Sequence, residues 1–427
     1  MRQDTDPKSG FNRVSRTFHS LRPPFPLPPP DAAVSAVSYT LSLRRNSPFP
    51  DSVTAFVDAA TGHSISYEEL IYRAETLAAN LATVFKLSKG DAAFVLSPNL
   101  IQVPILYFAL LSLGVIVSPA NPLSTRSDLT RLFHLSKPAI VFTVTSIAER
   151  EYGIPTVLLD SPEFDSLTQS KIHNPSPLAS PARVNQSDLA AILYSSGTTG
   201  MVKGVMLTHR NLTALAAGYD AVRVKRKEPA VFLFTMPFFH VYGFSFGFKA
   251  MVLSDTVVIM ERFNLKGMLS AVERFRVTNL AVVPSLLVAL TKDDVTNEYD
   301  LTTLEGIACG SAPLGKDTAE AFKAKFPNVV LIQVAPAELE KWLLSHPEIN
   351  DAAVISYPDE EAGQVPMAIV VRQSQSSITE AEIIDFVAKQ VAPYKKIRRV
   401  AFVDAIPKNA LGKILRRDLK KLVTSRL

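Results

Sequence analysis

"LYSSGTTGMVKGVMLTHRN", residues 193–211, holds the densest chemistry in this 427-residue chain. An apolar strand ends at Leu193, and Ser195, Ser196, Gly197, Thr198, Thr199 and Gly200 follow, then Lys203 and a second short apolar run. Glycine lets backbone N–H groups turn toward an anion, hydroxyls add donors, and lysine adds charge. The composition is that of a polyphosphate cradle. A plain Ser/Gly turn has the same composition and stays open at this point. A P-loop does not fit. It needs Lys and then Ser or Thr directly after the last glycine, whereas Gly200 is followed by Met201, Val202, Lys203 and Gly204.

Outward from that stretch, short apolar runs alternate with helical patterns. Strands are predicted at 92–97, 115–118, 139–143, 189–193, 231–236, 256–260, 279–283 and 329–332, the last reading as a buried strand. Helices are predicted at 65–85, 100–113, 210–222 and 265–276. Such alternation predicts an α/β fold with a mostly parallel sheet covered by helices. The proline-dense "LRPPFPLPPP" (21–30) predicts an extended arm over 1–38. The large domain then runs from 39 to 333. From 334 to 427 the texture changes to a small α+β pattern. A helix "AELEKWLLSHPEI" precedes the strands "DAAVISYPD" and "QVPMAIVVR". The helix "TEAEIIDFVAKQ" with Thr379 as its cap, the strand "RRVAFVDAIP" and the basic helix "KILRRDLKKLV" follow.

Bulk composition narrows the function classes. Hydrophobic content of 47% with 20% charged residues is that of a globular chain, and the lone Cys309 forms no internal disulfide. The net charge of +5 is modest. Its basic tail is threaded with Ile397, Val400, Phe402 and Ile406, which argues against nucleic acid as a partner. The uncharged run 92–125 is broken by Pro98, Asn99, Gly114 and Pro119, so no transmembrane segment is expected. The chain closes on Ser425-Arg426-Leu427, which matches a peroxisomal address with Arg in place of the usual Lys. That ending predicts a peroxisomal location and the peroxisomal import receptor as a partner.

The 193–211 string resembles the signature of the adenylate-forming enzymes: acyl- and aryl-CoA synthetases, luciferases and peptide-synthetase adenylation domains. "LSPN" (96–99), "GVIVSPANPL" (114–123), "MPFFHVYGF" (236–244), "GSAPLG" (310–315) and "PKNALGKILRR" (407–417) resemble further family segments in the expected order. With "VAPAELE" and the Ser-Arg-Leu end, the chain is most similar to plant 4-coumarate:CoA-ligase-like proteins with peroxisomal ends. The resemblance implies an α/β fold with a large N-terminal mixed or parallel sheet domain and a small α+β C-terminal lid. It implies a two-step reaction in which a small carboxylic acid and Mg·ATP give acyl-AMP, and coenzyme A then displaces AMP.

Roles follow from the same resemblance. Ser195, Ser196, Gly197, Thr198, Thr199, Gly200 and Lys203 would hold ATP phosphates, with Gln333 on the nucleotide. Lys413 on the lid would be the catalytic charge. His240, Tyr242, Gly310, Ser311, Ala312 and Pro313 would border the acid. Phe238, Phe239, Phe244 and Phe248 would give that pocket an apolar lining. Arg262 would meet coenzyme A. The cofactors implied are ATP, Mg²⁺ and coenzyme A, and no metal ligand set is identified in the chain itself.

At "VVLIQVAPAELEKWLL" (329–344) the sequence departs from the family. The family continues from the strand into Gly-Tyr-Gly-x-Thr-Glu, later Thr-Gly-Asp, and a lysine-rich hinge. Here Gln333 meets Val334 directly, so a segment of roughly 100 residues or more, the size of a domain, is absent. Strands that would pack on the large domain go with it, which predicts exposed apolar surface at the break. Two readings therefore stand: an AMP-forming carboxylate–CoA ligase, or a splice-type variant acting as a non-catalytic binding protein.

Overall fold

The computed structural model describes residues 6, 11–12, 14, 17–18, 24–148, 152–170, 183–196, 202–292, 294–309, 316–333, 338–359, 363–389, 396–408, 414–415 and 418–419. A two-residue pair, β1 (Phe11–Asn12) and β2 (Thr17–Phe18), precedes the main body. The first half of that body runs α1 (Ala36–Arg44), β3 (Thr54–Asp58), β4 (Ser64–Ser66), α2 (Tyr67–Val84), β5 (Ala92–Leu96), α3 (Gln102–Leu113), β6 (Ile116–Ala120), α4 (Arg126–Ser136), β7 (Ile140–Thr143), β8 (Thr156–Leu158), α5 (Pro162–Gln169) and β9 (Leu189–Ser196). The second half runs β10 (Val202–Thr208), α6 (His209–Ala221), β11 (Val231–Phe234), α7 (Val241–Leu253), β12 (Thr256–Ile259), α8 (Leu265–Arg274), β13 (Asn279–Val282), α9 (Pro284–Lys292), β14 (Gly306–Cys309), α10 (Lys316–Lys325) and β15 (Val330–Gln333).

The strands form two sheets rather than the one that alternation suggests. One has the order β10-β9-β6-β5-β7-β8 and the other β15-β14-β13-β11-β12-β3-β4. Each is parallel except for one antiparallel strand at an edge, β10 in the first and β4 in the second. A single core joins them. It takes Ala93, Val117 and Phe142 from the first sheet, Phe56, Phe234 and Val257 from the second, and the inward faces of α2, α3 and α7. Separate cores lie under α8 and α9 on the second sheet and under α4 on the first.

Helix α3 shows why the uncharged stretch is a core element. Its residues Val103 to Leu111 are all buried, and Gly114 ends it in the left-handed region at φ 74°, so the chain turns straight into β6. Among the described residues no helix is long and apolar enough to cross a membrane.

The C-terminal region has its own sheet. Strand β16 (Ile349–Asp359) pairs antiparallel with β17 (Gly363–Arg372), which pairs parallel with β18 (Arg399–Phe402). Helices α11 (Glu338–Leu344) and α12 (Glu380–Ala388) pack on it through Leu343, Ile383 and Val387. Thr379 caps α12 as expected, in a reciprocal box with Glu382. Of the expected basic helix, only residues 418–419 are helical among the described residues, and Lys408 bridges to Ile414 ahead of them.

Two further expectations need correction. The strand at 329–332 is not buried: as β15 it is an edge strand, with Val330 62% and Ile332 55% exposed. An apolar run identifies a strand but not what covers it, and here its outer edge is uncovered, as the break at Gln333 predicts. Strand β9 does not stop at Leu193 but continues through Ser196, because β10 folds back and pairs with it along its length. The proline-rich arm, without helix or strand over the described residues 24–30, is tied to the body. Gln186 Nε2 donates to the carbonyls of Pro29 and Ala32, and Arg210 donates to Pro28.

Candidate active site

Parallel pairing puts the carboxyl ends of β11, β12, β13, β14 and β15 along one sheet edge, the side on which open α/β sheets bind ligands. Most of the candidate residues follow those ends in the chain. His240 and Tyr242 come after β11, Arg262 after β12, Gly310 to Pro313 after β14, and Gln333 closes β15 opposite Cys309. In the other sheet, β5 leads to Asn99 and β9 to Ser195 and Ser196.

Asn99 fastens the two edges together. Its Oδ1 accepts from the Phe238 amide at 2.9 Å, while its Nδ2 donates to the carbonyls of Met236 at 3.0 Å and Met260 at 3.3 Å. One N–H and two carbonyls face this carboxamide, so only one orientation of the amide satisfies them all. The residue is 6% exposed. Thus the ends of β5, β11 and β12 meet at one side chain.

The turn after β11 is built tightly. The His240 amide donates to the Pro237 carbonyl at 3.1 Å, and His240 caps α7 with Nδ1 accepting from the Tyr242 amide at 3.3 Å. Its ring is exposed and not packed in the core, the reading its two preceding phenylalanines invite. Tyr242 is half-buried and stacks on Phe234 at an interplanar angle of 12°. Burial, with Tyr219 nearby, pushes its phenol up to about 12, so it stays a neutral hydrogen-bond donor.

Phe238, Phe244 and Phe248 are not an open lining. All three are buried; Phe244 packs on Tyr107 and Phe248 on Phe108, closing the seam between α3 and α7. Phe239 remains half-buried. Cys309 lies beside the same edge, but burial pushes its thiol up to about 11. It is no nucleophile at neutral pH.

In the β9–β10 hairpin, Lys203 pairs opposite Ser195 and Val202 opposite Ser196. The hairpin is held close to where β9 ends and β10 begins by Tyr194, whose hydroxyl bonds Ser118 at 2.6 Å and the Leu132 carbonyl at 3.1 Å, and by Arg131 on the Val202 carbonyl. Lys203 is exposed, and Arg262 is exposed two residues past the segment that Asn99 holds. Gly197, Thr198, Thr199, Gly200, Gly310, Ser311, Ala312, Pro313 and Lys413 lie outside the described residues, as do Val334 to Ala337 and Ser425-Arg426-Leu427. Among the described residues no cluster of three or more His, Cys, Asp or Glu is placed to hold a metal ion.

Asn99 and Gly243 are the residues whose importance sequence reading missed. A β-carbon on Gly243 would lie 2.0 Å from the Pro237 carbonyl oxygen, so the turn demands glycine. Both lie inside quoted motifs. Their partners are visible only in the fold.

With this geometry in place, family models identify the chain. The AMP-binding enzyme model matches residues 44–339 and the AMP-binding enzyme C-terminal domain model matches 338–413. The chain belongs to the AMP-binding enzyme family, and as such it is an AMP-forming, ATP-dependent carboxylate–CoA ligase. It is 38% identical to 4-coumarate–CoA ligase-like 9 of Arabidopsis thaliana, over 98% of this chain and 96% of that one. It is 38% identical to 4-coumarate–CoA ligase-like 5 of Oryza sativa subsp. japonica, over 97% and 95%. Its identity to the peroxisomal OPC-8:0-CoA ligase 1 of Arabidopsis thaliana is 32%, over 98% of each.

Among solved structures, a fatty acyl CoA synthetase of Mycobacterium tuberculosis shares the fold at a TM-score of 0.64 and 18% identity, covering 92% of this chain and 99% of that one. ATP-bound MatB of Rhodopseudomonas palustris does so at 0.64 and 21%, covering 92% and 100%. These relatives give the non-catalytic reading no support. They also carry positions this chain lacks. The first plant alignment spans 548 positions, of which 98% of 427 residues, about 418, are filled by this chain. About 130 alignment positions therefore have no counterpart here, enough in total to include a segment the size of a domain.

Proposed function

We propose that this ligase activates an aryl or fatty/oxylipin-type carboxylic acid in the peroxisome, with residues 334–427 acting as a lid over the domain 39–333. The acid's carboxylate oxygen attacks the α-phosphorus of Mg·ATP, forming acyl-AMP as pyrophosphate leaves. The thiol sulfur of coenzyme A then attacks the acyl carbon, AMP leaves, and the thiol proton is released. Lys203, with Ser195, Ser196, Gly197, Thr198, Thr199 and Gly200, holds the phosphates. Gln333 meets the nucleotide. Lys413 offsets the charge that grows on the carboxylate and α-phosphate. Transfer at phosphorus depends mainly on such positioning and charge stabilisation. His240, Tyr242 and the 310–313 turn border the acid, and Arg262 meets coenzyme A. Magnesium arrives with the nucleotide as part of that substrate.

The observation that carries this reading is the meeting of strand carboxyl ends at Asn99, with the Ser195–Lys203 pair heading the neighbouring hairpin. The peroxisomal assignment rests on the Ser425-Arg426-Leu427 end, which the import receptor would read, and on the peroxisomal relative. The test is acid-dependent pyrophosphate release from Mg·ATP, with cinnamic, fatty and cyclopentenone acids and a Lys413→Ala control. Release that needs both an acid and Lys413 is expected. Folded protein that releases none overturns the proposal. A fluorescent fusion lacking the last three residues should leave peroxisomes.

A further inference from the structure

We propose that Asn99 is a positioning residue for the acid side of the reaction, setting the place of His240 through the turn after β11. This rests on the assignment of His240 to the acid. Asn99 makes its three hydrogen bonds to Met236, Phe238 and Met260 rather than to His240. It holds Met236 through the carbonyl and Phe238 through the amide, and between them Pro237 presents the carbonyl that takes the His240 amide. From His240 the order passes into α7: the Phe244 amide donates to the His240 carbonyl at 2.8 Å, and Gly243 lies flush against Pro237. The third bond, to the Met260 carbonyl, fixes the segment that leads to Arg262.

The geometry is that of a bracket. Asn99 belongs to the end of β5 in one sheet, while its partners belong to the ends of β11 and β12 in the other, 137 to 161 residues along the chain. Core packing sets the distance between the sheets to within the tolerance of side-chain contacts. A carboxamide with three directional bonds sets it at the edge where the chemistry is, and a buried amide meeting all its partners has no second arrangement of equal energy. The Lys203 hairpin is outside this bracket. It is held by Tyr194 and Arg131 instead.

That separation gives the test. Replacing Asn99 by Asp keeps the acceptor for the Phe238 amide but aims a carboxylate oxygen at two carbonyls, with no proton to share. Protonating it restores a donor. In Asn99→Asp the KM for the acid should rise about 10- to 100-fold at pH 8, with the KM for ATP within about 2-fold of the parent, as one or two hydrogen bonds are worth. The acid KM should return toward the parent value as pH falls, which Asn99→Ala should not do. A merely structural role would lower kcat with the folded fraction and leave both KM values alone, and that result overturns the proposal.

A second readout is independent of turnover. Among the histidine ring resonances, the one lost in His240→Gln should move in Asn99→Asp and return on acidification. If the parent enzyme releases no pyrophosphate but this resonance moves, the ligase reading fails and the bracket stands. If the resonance does not move, the bracket fails whatever the activity.

Discussion

Gly243 and Pro237 touch with no room between them: a β-carbon on Gly243 would lie 2.0 Å from the Pro237 carbonyl oxygen and 2.9 Å from the Phe238 α-carbon. Both obstacles are backbone, so neither can swing aside. Gly243→Ala must push the 237–240 turn away from α7. The expected cost is about 1–3 kcal/mol, the usual range for overpacking, seen as a lower midpoint in denaturant. Pyrophosphate release should fall at least as far as the acid KM rises, since His240 moves with the turn. An alanine variant with parent stability and parent KM would refute this.

Lys203 should behave in the opposite way. It is exposed on an edge strand, and no described ion pair holds it, so Lys203→Ala should leave the melting temperature unchanged. Losing a charge-assisted bond to phosphate, about 1.5–3 kcal/mol, should raise the KM for ATP or lower kcat by about 10- to 150-fold. The acid KM should stay put. Steady-state kinetics with either substrate varied reads both.

His209 gives the fold an acid limit. It is fully buried, with Nδ1 accepting from the Ala36 amide. Burial lowers its pKa to about 4 from the ordinary 6.5, with Lys89 adding to the lowering and Asp188 opposing it. The unfolded chain therefore binds this proton first. The stabilisation is complete above pH 6.5, shrinks as pH falls, and is gone below about 4. It amounts to about 3 kcal/mol at most. Denaturant midpoints should fall between pH 7 and pH 4, and His209→Gln should flatten that slope.

The open edge at β15 should govern solubility. An uncharged four-residue strand with Val330 and Ile332 facing water and no proline or lysine lacks the usual protections of an edge. Val330→Lys with Ile332→Thr should reduce light scattering at concentrations where the parent self-associates. Because both side chains are already solvated, stability should change by less than about 0.5 kcal/mol. Unchanged scattering would count against this edge as the source.

The sequence made the strands legible wherever an apolar run was flanked by breakers: β5, β7, β11, β12 and β13 fall within one or two residues of their expected places. It hid the division into two sheets, because periodicity reports which residues are apolar and not which neighbours pair. Strand β14, with Gly306 and Ala308 on one face, gave too weak a run to be predicted. Of the candidate site, residue types flagged the Ser195–Lys203 stretch as a candidate phosphate cradle, and the MPFFHVYGF stretch was marked by its resemblance to a family segment. The role of Asn99 could not be read in either way. An asparagine after Ser-Pro reads as a turn residue, and its role exists only once residues 236, 238 and 260 are folded beside it.

The proline-rich arm has a consequence for the order in which contacts can form. Proline has no amide hydrogen, so residues 28 and 29 offer the fold only acceptors, and their donors are the side chains of Gln186 and Arg210. Those donors are made 157 and 182 residues later. The Gln186 donor precedes β9, and the Arg210 donor lies in α6. The arm's full set of donors is therefore complete only once both Gln186 and Arg210 have been made, so its docking depends on long-range contacts rather than on its own segment.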